Sequence, residues 1–126
     1  MKYQGSKNRL SKELVPIIES YITEETKTYI EPFVGGGNLI DKICFNNKIG
    51  YDNHPYVIAL LKALSKGWTP PLEITEELYK EIKDNKEKYP DYLVGYVGFQ
   101  AANGLVGTDE TKKENVIIQL KLIIIQ

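Results

Sequence analysis

Three consecutive glycines, Gly35-Gly36-Gly37, follow the run Tyr29-Ile30-Glu31-Pro32-Phe33-Val34, and a second acid, Asp52, stands fifteen residues beyond the last of them. These residue types suit a nucleoside-bearing ligand. Glycine lets backbone N–H groups come close to a ligand, and a carboxylate at the next strand end accepts from ribose hydroxyls. The spacing departs from the dinucleotide fingerprint G-x-G-x-x-G, because Ile40 stands where its third glycine belongs. No Gly-Lys-Ser/Thr follows either, so the loop is not a P-loop. A loop with no pyrophosphate to hold fits a cofactor with one nucleoside and a non-phosphate arm, as in S-adenosylmethionine. The same glycines also suit a tight turn, and Asp52 also suits the start of the Asn53-His54-Pro55 turn. His54, the one histidine, precedes a proline at a helix start and reads as a capping or turn residue. Cys44, the one cysteine, excludes a disulfide framework and a multi-thiolate zinc site, and is expected as a buried core thiol.

The elements that position these residues follow from patterning. Leu10, Leu14, Ile17, Ile18, Tyr21 and Ile22 fall at helical spacing, with Pro16 predicting a kink or two short helices. Residues 28–31 read as a strand, 38–44 as a helix starting right after the glycines, and 48–51 as a second strand. A helix from Pro55 to about residue 66 has proline at its first position and Gly67 just past its end. This order describes an α/β protein, with a right-handed crossover unit of a parallel sheet. Residues 68–72, with Pro70 and Pro71, form a linker or turn. Thr75 is an N-cap, with Ile74 placed to staple against Tyr79, for a charged helix ending near Tyr89. Pro90 and Asp91 open an apolar helix over 92–102. Beyond it, a polar stretch leads to the β-prone run 116–125, which has no evident partner strand.

At 126 residues and 42% apolar content, the chain holds one domain with a real core. Its net charge of -1 is unevenly laid out. The first twelve residues carry Lys2, Lys7, Arg9 and Lys12 without an acid, whereas seven acids face four lysines between Glu73 and Asp91. A free-standing DNA binder is usually basic overall, so any nucleic-acid surface here is local. With no signal peptide and no apolar run of transmembrane length, a cytoplasmic protein is expected.

Tyr3-x-Gly5-Ser6-Lys7, Glu31-Pro32-Phe33-Val34-Gly35-Gly36-Gly37 and Gly50-Tyr51-Asp52, in that order, resemble the Dam-type adenine-N6 DNA methyltransferases. The resemblance covers about residues 1–100, and the segment 92–100 is similar to the helix that leads into that family's recognition region. It implies a partial Rossmann-like S-adenosylmethionine-dependent methyltransferase fold with an incomplete parallel sheet. Residues 1–70 would be the cofactor part, 71–102 the start of a helical target-recognition segment, and 103–126 an aberrant tail. It further implies S-adenosylmethionine as cofactor and double-stranded DNA as partner; no metal and no membrane are expected, and the oligomeric state stays open, with a monomer favoured. The setting would be a bacterial or phage-infected cytoplasm. Tyr3 and Lys7 would line the methionine end of the cofactor, with the Lys7 ammonium toward its carboxylate. Glu31, Pro32 and the backbone of Phe33, Gly35 and Gly37 would form the cofactor loop, and Asp52 would hold the ribose hydroxyls. The family often has Asn two residues after the acid; His54 stands there in this chain and takes no role from the resemblance.

In such enzymes the methyl group passes directly from a sulfonium to the exocyclic nitrogen of a flipped-out adenine, held by a D-P-P-Y motif. This sequence contains no D-P-P-Y, so no catalytic residue is assigned. Thr69-Pro70-Pro71-Leu72 lacks the leading acid or amide and the closing aromatic, and Asn53-His54-Pro55-Tyr56 has only one proline. Codons compatible with residues 103–118, read one base over, encode K-W-F-G-G-Y-R-R-N-K-K-G-K-R-D-Y. The resemblance leads one to expect that opening after residue 100. A frameshift near residues 101–103 is therefore expected, leaving a truncated enzyme that is inactive alone. Two other readings stay open. One is a non-enzymatic α/β binding or interaction module that uses the helices over 75–102 as its partner surface. The other is a nicotinamide-dependent enzyme, against which the absent third glycine counts.

Overall fold

The computed structural model describes residues 6–102 and 124–125. Helix α1 (Ser11–Ser20) leads to strand β1 (Tyr29–Glu31), a 3-10 turn (Ile40–Lys42) and strand β2 (Lys48–Gly50). Helices α2 (Pro55–Ser65) and α3 (Glu76–Asp84) follow, then a 3-10 turn (Lys86–Lys88), helix α4 (Asp91–Ala102) and strand β3 (Ile124–Ile125). Among the described residues the sheet is three-stranded and parallel, in the order β1-β2-β3. Tyr29 lies opposite Lys48, Ile30 opposite Ile49 and Glu31 opposite Gly50. The glycine loop and the segment carrying Asp52 therefore leave the sheet side by side. Mixed helix and parallel strand is the class expected from the sequence.

Local chemistry explains most element boundaries. In α2, Val57, Leu60 and Leu61 are buried at helical spacing, and Pro55 opens the helix where a backbone N–H has no helical partner. Its end is a Schellman motif: Trp68 N–H donates to the Ala63 carbonyl, Gly67 N–H to the Leu64 carbonyl, and Gly67 takes φ 88°. Thr75 caps α3, its hydroxyl accepting from Leu78 N–H at 3.2 Å. Ile74 and Tyr79 share the same apolar cluster, as a staple requires.

Two clusters make the core. Val34, Ile40, Val57 and Leu61, flanked by Tyr29, Ile58 and Phe99, join the glycine loop to α2. Ile74, Ile82, Val94 and Val97, flanked by Tyr56 among others, join α2, α3 and α4. Full burial of one such side chain contributes about 1.5–3 kcal/mol, so the first cluster anchors the loop firmly. The α2–α4 contact is close: a Cβ on Gly95 would lie 2.5 Å from the Tyr56 carbonyl oxygen.

Several expectations are corrected. Pro16 sits inside one continuous helix rather than between two short ones. The bond it forfeits belongs to the carbonyl of Lys12, an exposed residue beside solvent. The helix expected over 38–44 is only the 3-10 turn Ile40–Lys42. Leu39, Ile40 and Ile43 are all buried, and the turn ends because Ile43 takes extended backbone, φ -70° and ψ 124°. Cys44 is exposed, not a core thiol, because neighbouring Ile43 takes the buried position. The charged helix stops at Asp84, and the last turn before Tyr89 is 3-10. Of the isoleucine-rich run, only Ile124 and Ile125 are among the described residues, and they pair with Ile49 and Gly50.

Candidate cofactor site

The site begins where β1 and β2 end. Tyr51 N–H donates to the Glu31 carbonyl at 2.9 Å, and Val34 N–H donates to the Tyr51 carbonyl at 2.8 Å. These bonds continue the ladder past the strands and hold the loop against the chain that leads to Asp52. Gly50 makes this approach possible, because a Cβ there would lie 2.8 Å from Val34 Cγ2. The loop then turns through two left-handed residues, Gly35 at φ 49° and Gly37 at φ 73°, and Gly37 N–H closes the turn on the Val34 carbonyl at 2.9 Å.

Asp52 holds this turn from the neighbouring strand end. Its Oδ2 accepts from Gly35 N–H and its Oδ1 from His54 N–H, both at 2.9 Å. Each carboxylate oxygen offers about two acceptor sites, so capacity remains on both for ligand hydroxyls. On the other side, Lys7 Nζ lies 2.7 Å from Glu31 Oε1 and also donates to the Phe33 carbonyl. Glu31 is 4% exposed, and its Oε2 is buried with no partner among the described residues. Burial pushes the Glu31 carboxyl above its ordinary value, with the Lys7 hydrogen bond and charge pulling the other way. Burial, then the Glu31 charge, raises the nearby Tyr29 hydroxyl to about 12.

Of the residues singled out in the sequence, Lys7, Glu31 and Phe33 meet in one polar network, and Gly35, Gly37 and Asp52 meet in the turn beside it. Pro32 and Phe33 are exposed, with Phe33 at 77%. Tyr3 lies outside the described residues. A protein-family model of D12 class N6 adenine-specific DNA methyltransferases matches residues 3–124. The chain belongs to that family. No curated protein and no solved structure matches it. As a D12 class methyltransferase it is of the adenine-N6 DNA-methylating class, in agreement with the Dam-type resemblance of its three motifs.

The D12 class chain also carries site features that sequence reasoning missed. Ser6, Asn8 and Ser11 tie the N-terminal segment to the far side of the glycine loop. Asn38 Nδ2 donates to Ser6 Oγ at 2.9 Å, and Lys42 Nζ donates to Asn8 Oδ1 and Ser11 Oγ at 2.6 Å each. No periodicity marks such contacts, which join residues more than thirty positions apart. His54 starts α2 without a side-chain cap bond. Its ring sits 5.9 Å from Tyr56 and 5.8 Å from Phe99, and its Nδ1 is buried without a partner among the described residues. Among the described residues no His/Cys/Asp/Glu group could hold a metal, and no helix is long and apolar enough to cross a membrane.

Proposed function

We propose that this chain is the S-adenosylmethionine-binding part of a site-specific adenine-N6 DNA methyltransferase with a Rossmann-like sheet, unable to methylate DNA on its own. The observation that carries the reading is the tie between Asp52 and Gly35, which sets a carboxylate and a glycine-lined backbone at adjacent strand ends. The donor set fits the cofactor: Asp52 keeps acceptor capacity for ribose hydroxyls, and Lys7 offers an ammonium to a carboxylate. When bound, the cofactor supplies an activated methyl group on sulfur. The chain's own residues orient it. Asp52 fixes the nucleoside end, Gly35 and Gly37 let the backbone approach, and Glu31 holds Lys7 over the loop. Tyr3 and Pro32 complete the site in this reading, by the resemblance of their motifs to the Dam type.

Placing an adenine against the methyl group needs the D-P-P-Y residues, and this sequence has none. Alignment of nucleophile, methyl carbon and leaving sulfur supplies much of the rate in such transfers, so binding alone does not produce turnover. Residues 71–102 serve in this reading as the lead into a recognition segment; the shifted frame expected after about residue 102 has against it the family match that runs to residue 124. Calorimetric titration with S-adenosylmethionine, paired with a DNA methylation assay, tests the reading. Saturable binding without methylation is expected; absent binding or measurable transfer by the chain alone refutes it. Sequencing the coding DNA past codon 100 tests the shifted frame, which fails if no D-P-P-Y follows in another frame.

A further inference from the structure

The segment from Ser6 to Ser11 crosses the glycine loop and is fastened to it by polar contacts at both ends. Lys7 reaches Glu31 and the Phe33 carbonyl on one side of the loop. Asn38 reaches Ser6, and Lys42 reaches Asn8 and Ser11, on the other. Apolar burial contributes little here: Leu10, the one large apolar residue of the segment, is 55% exposed. Solvent can replace these polar fastenings when the strap opens, whereas fully buried Ser11 anchors its end at the start of α1. A lysine ammonium has three N–H donors, and the described bonds of Lys7 occupy two of them.

We propose that residues 6–11 form a latch over the cofactor loop, which a ligand carboxylate closes by taking the remaining Lys7 donor. The latch rests on the cofactor reading above and adds a regulatory property to it. With the site empty the strap is held by these bonds alone. With an amino-acid-bearing nucleoside bound, the carboxylate adds a fastening that exists only in the closed form, and linkage shifts the strap toward closure. A nucleoside ligand without a carboxylate occupies the same loop and leaves the strap as it was.

Limited trypsin digestion of the full chain, followed by mass spectrometry, reads the strap at the bond after exposed Arg9 and reads the rest of the fold at the exposed turn Lys86–Lys88. S-adenosylhomocysteine carries the amino-acid end, and 5′-methylthioadenosine lacks it. At saturation, S-adenosylhomocysteine is expected to slow cleavage after Arg9 by about tenfold or more, the factor by which one charge-assisted bond made only in the closed form favours that form over an open form that still binds the nucleoside. Cleavage within 86–88 changes far less, and saturating 5′-methylthioadenosine has little effect at either place. Lys7→Gln, at saturating S-adenosylhomocysteine, loses the protection at Arg9. If calorimetry shows S-adenosylhomocysteine bound while Arg9 stays unprotected, the latch is wrong and the cofactor reading stands. Equal slowing at both places, or by both ligands, also overturns the latch. Failure of either ligand to bind overturns the cofactor reading, and the latch with it.

Discussion

Asp52 Oδ2 accepts the backbone N–H of Gly35 across seventeen residues of chain, at 2.9 Å. One carboxylate thus shapes the loop, with acceptor capacity left on both oxygens. The second oxygen is equally engaged, holding the His54 N–H at the start of α2. Loop, strand end and helix start are fixed by a single side chain, so the site's geometry depends on Asp52 before any ligand arrives.

Replacing Asp52 therefore costs affinity twice over. Asp52→Ala removes the loop tie and the ribose acceptor together, each a charge-assisted bond worth about 1.5–3 kcal/mol. Calorimetry should record at least about a hundredfold weaker S-adenosylmethionine binding. Asp52→Asn keeps the shape but turns one acceptor into a donor that faces a backbone N–H, so it should weaken binding to a similar degree. Near-native affinity in both variants would remove Asp52 from the site.

Gly37 and Gly67 separate loop geometry from general stability. Both take left-handed backbone, at φ 73° and 88°. Alanine there costs about 1–2 kcal/mol of strain. Nothing lies within 4 Å of a Cβ at Gly67, so Gly67→Ala should lower the melting temperature by several degrees and leave cofactor binding unchanged. Gly37→Ala should lower the melting temperature comparably and, if the proposed cofactor site is right, weaken binding as well, because its strain falls in that loop. Equal affinities in the two variants would show that the glycine loop is only a turn.

The parts of this site visible in the sequence are those whose chemistry is local. Proline at the first position of α2, glycine after its end and threonine before α3 each act within a few residues, and each is where patterning puts it. The glycine loop and Asp52 were legible because residue type and spacing reflect adjacent parallel strand ends. The short turn at Ile40–Lys42 was not, since helical spacing in 38–44 gives no hint that the backbone turns extended at Ile43. Cys44 misled because a thiol's average preference says nothing about a turn in which Ile43 already fills the inside position. The Lys42–Ser11 and Asn38–Ser6 bonds depend on tertiary proximity alone.

Gly95 and Gly98 give opposite outcomes within one helix. A Cβ at Gly95 would meet the Tyr56 carbonyl oxygen at 2.5 Å, a backbone atom that moves only if α2 and α4 separate. Gly95→Ala should destabilise the chain by about 1–3 kcal/mol, as overpacking does. At Gly98 nothing described lies within 4 Å, so Gly98→Ala should gain up to about 1 kcal/mol of helix propensity. Chemical denaturation measures both. A stabilised Gly95→Ala would mean that the two helices do not approach as closely as they do here.

The buried Glu31 makes stability depend on pH in an unusual direction for a carboxylate. Burial, the largest influence, raises its folded pKa, and Lys7 only partly opposes this. The folded chain therefore holds the proton more tightly than the unfolded chain does. The stability Glu31 contributes is fully present below its unfolded pKa and is lost as pH rises through the raised folded value. Asp41 acts in the same sense, raised by burial against Lys48 and Lys42. Glu31→Gln takes one of these groups out of the titration while leaving the Lys7 bond to Phe33 in place. Its melting temperature should exceed that of the native chain at about pH 7, and the difference should shrink toward about pH 4, where the native carboxyl is itself largely protonated. S-adenosylmethionine binding should weaken in the same variant, since Lys7 loses the charged partner that holds it over the loop. A gap that widens toward low pH would show that the Lys7 pair outweighs the burial of Glu31.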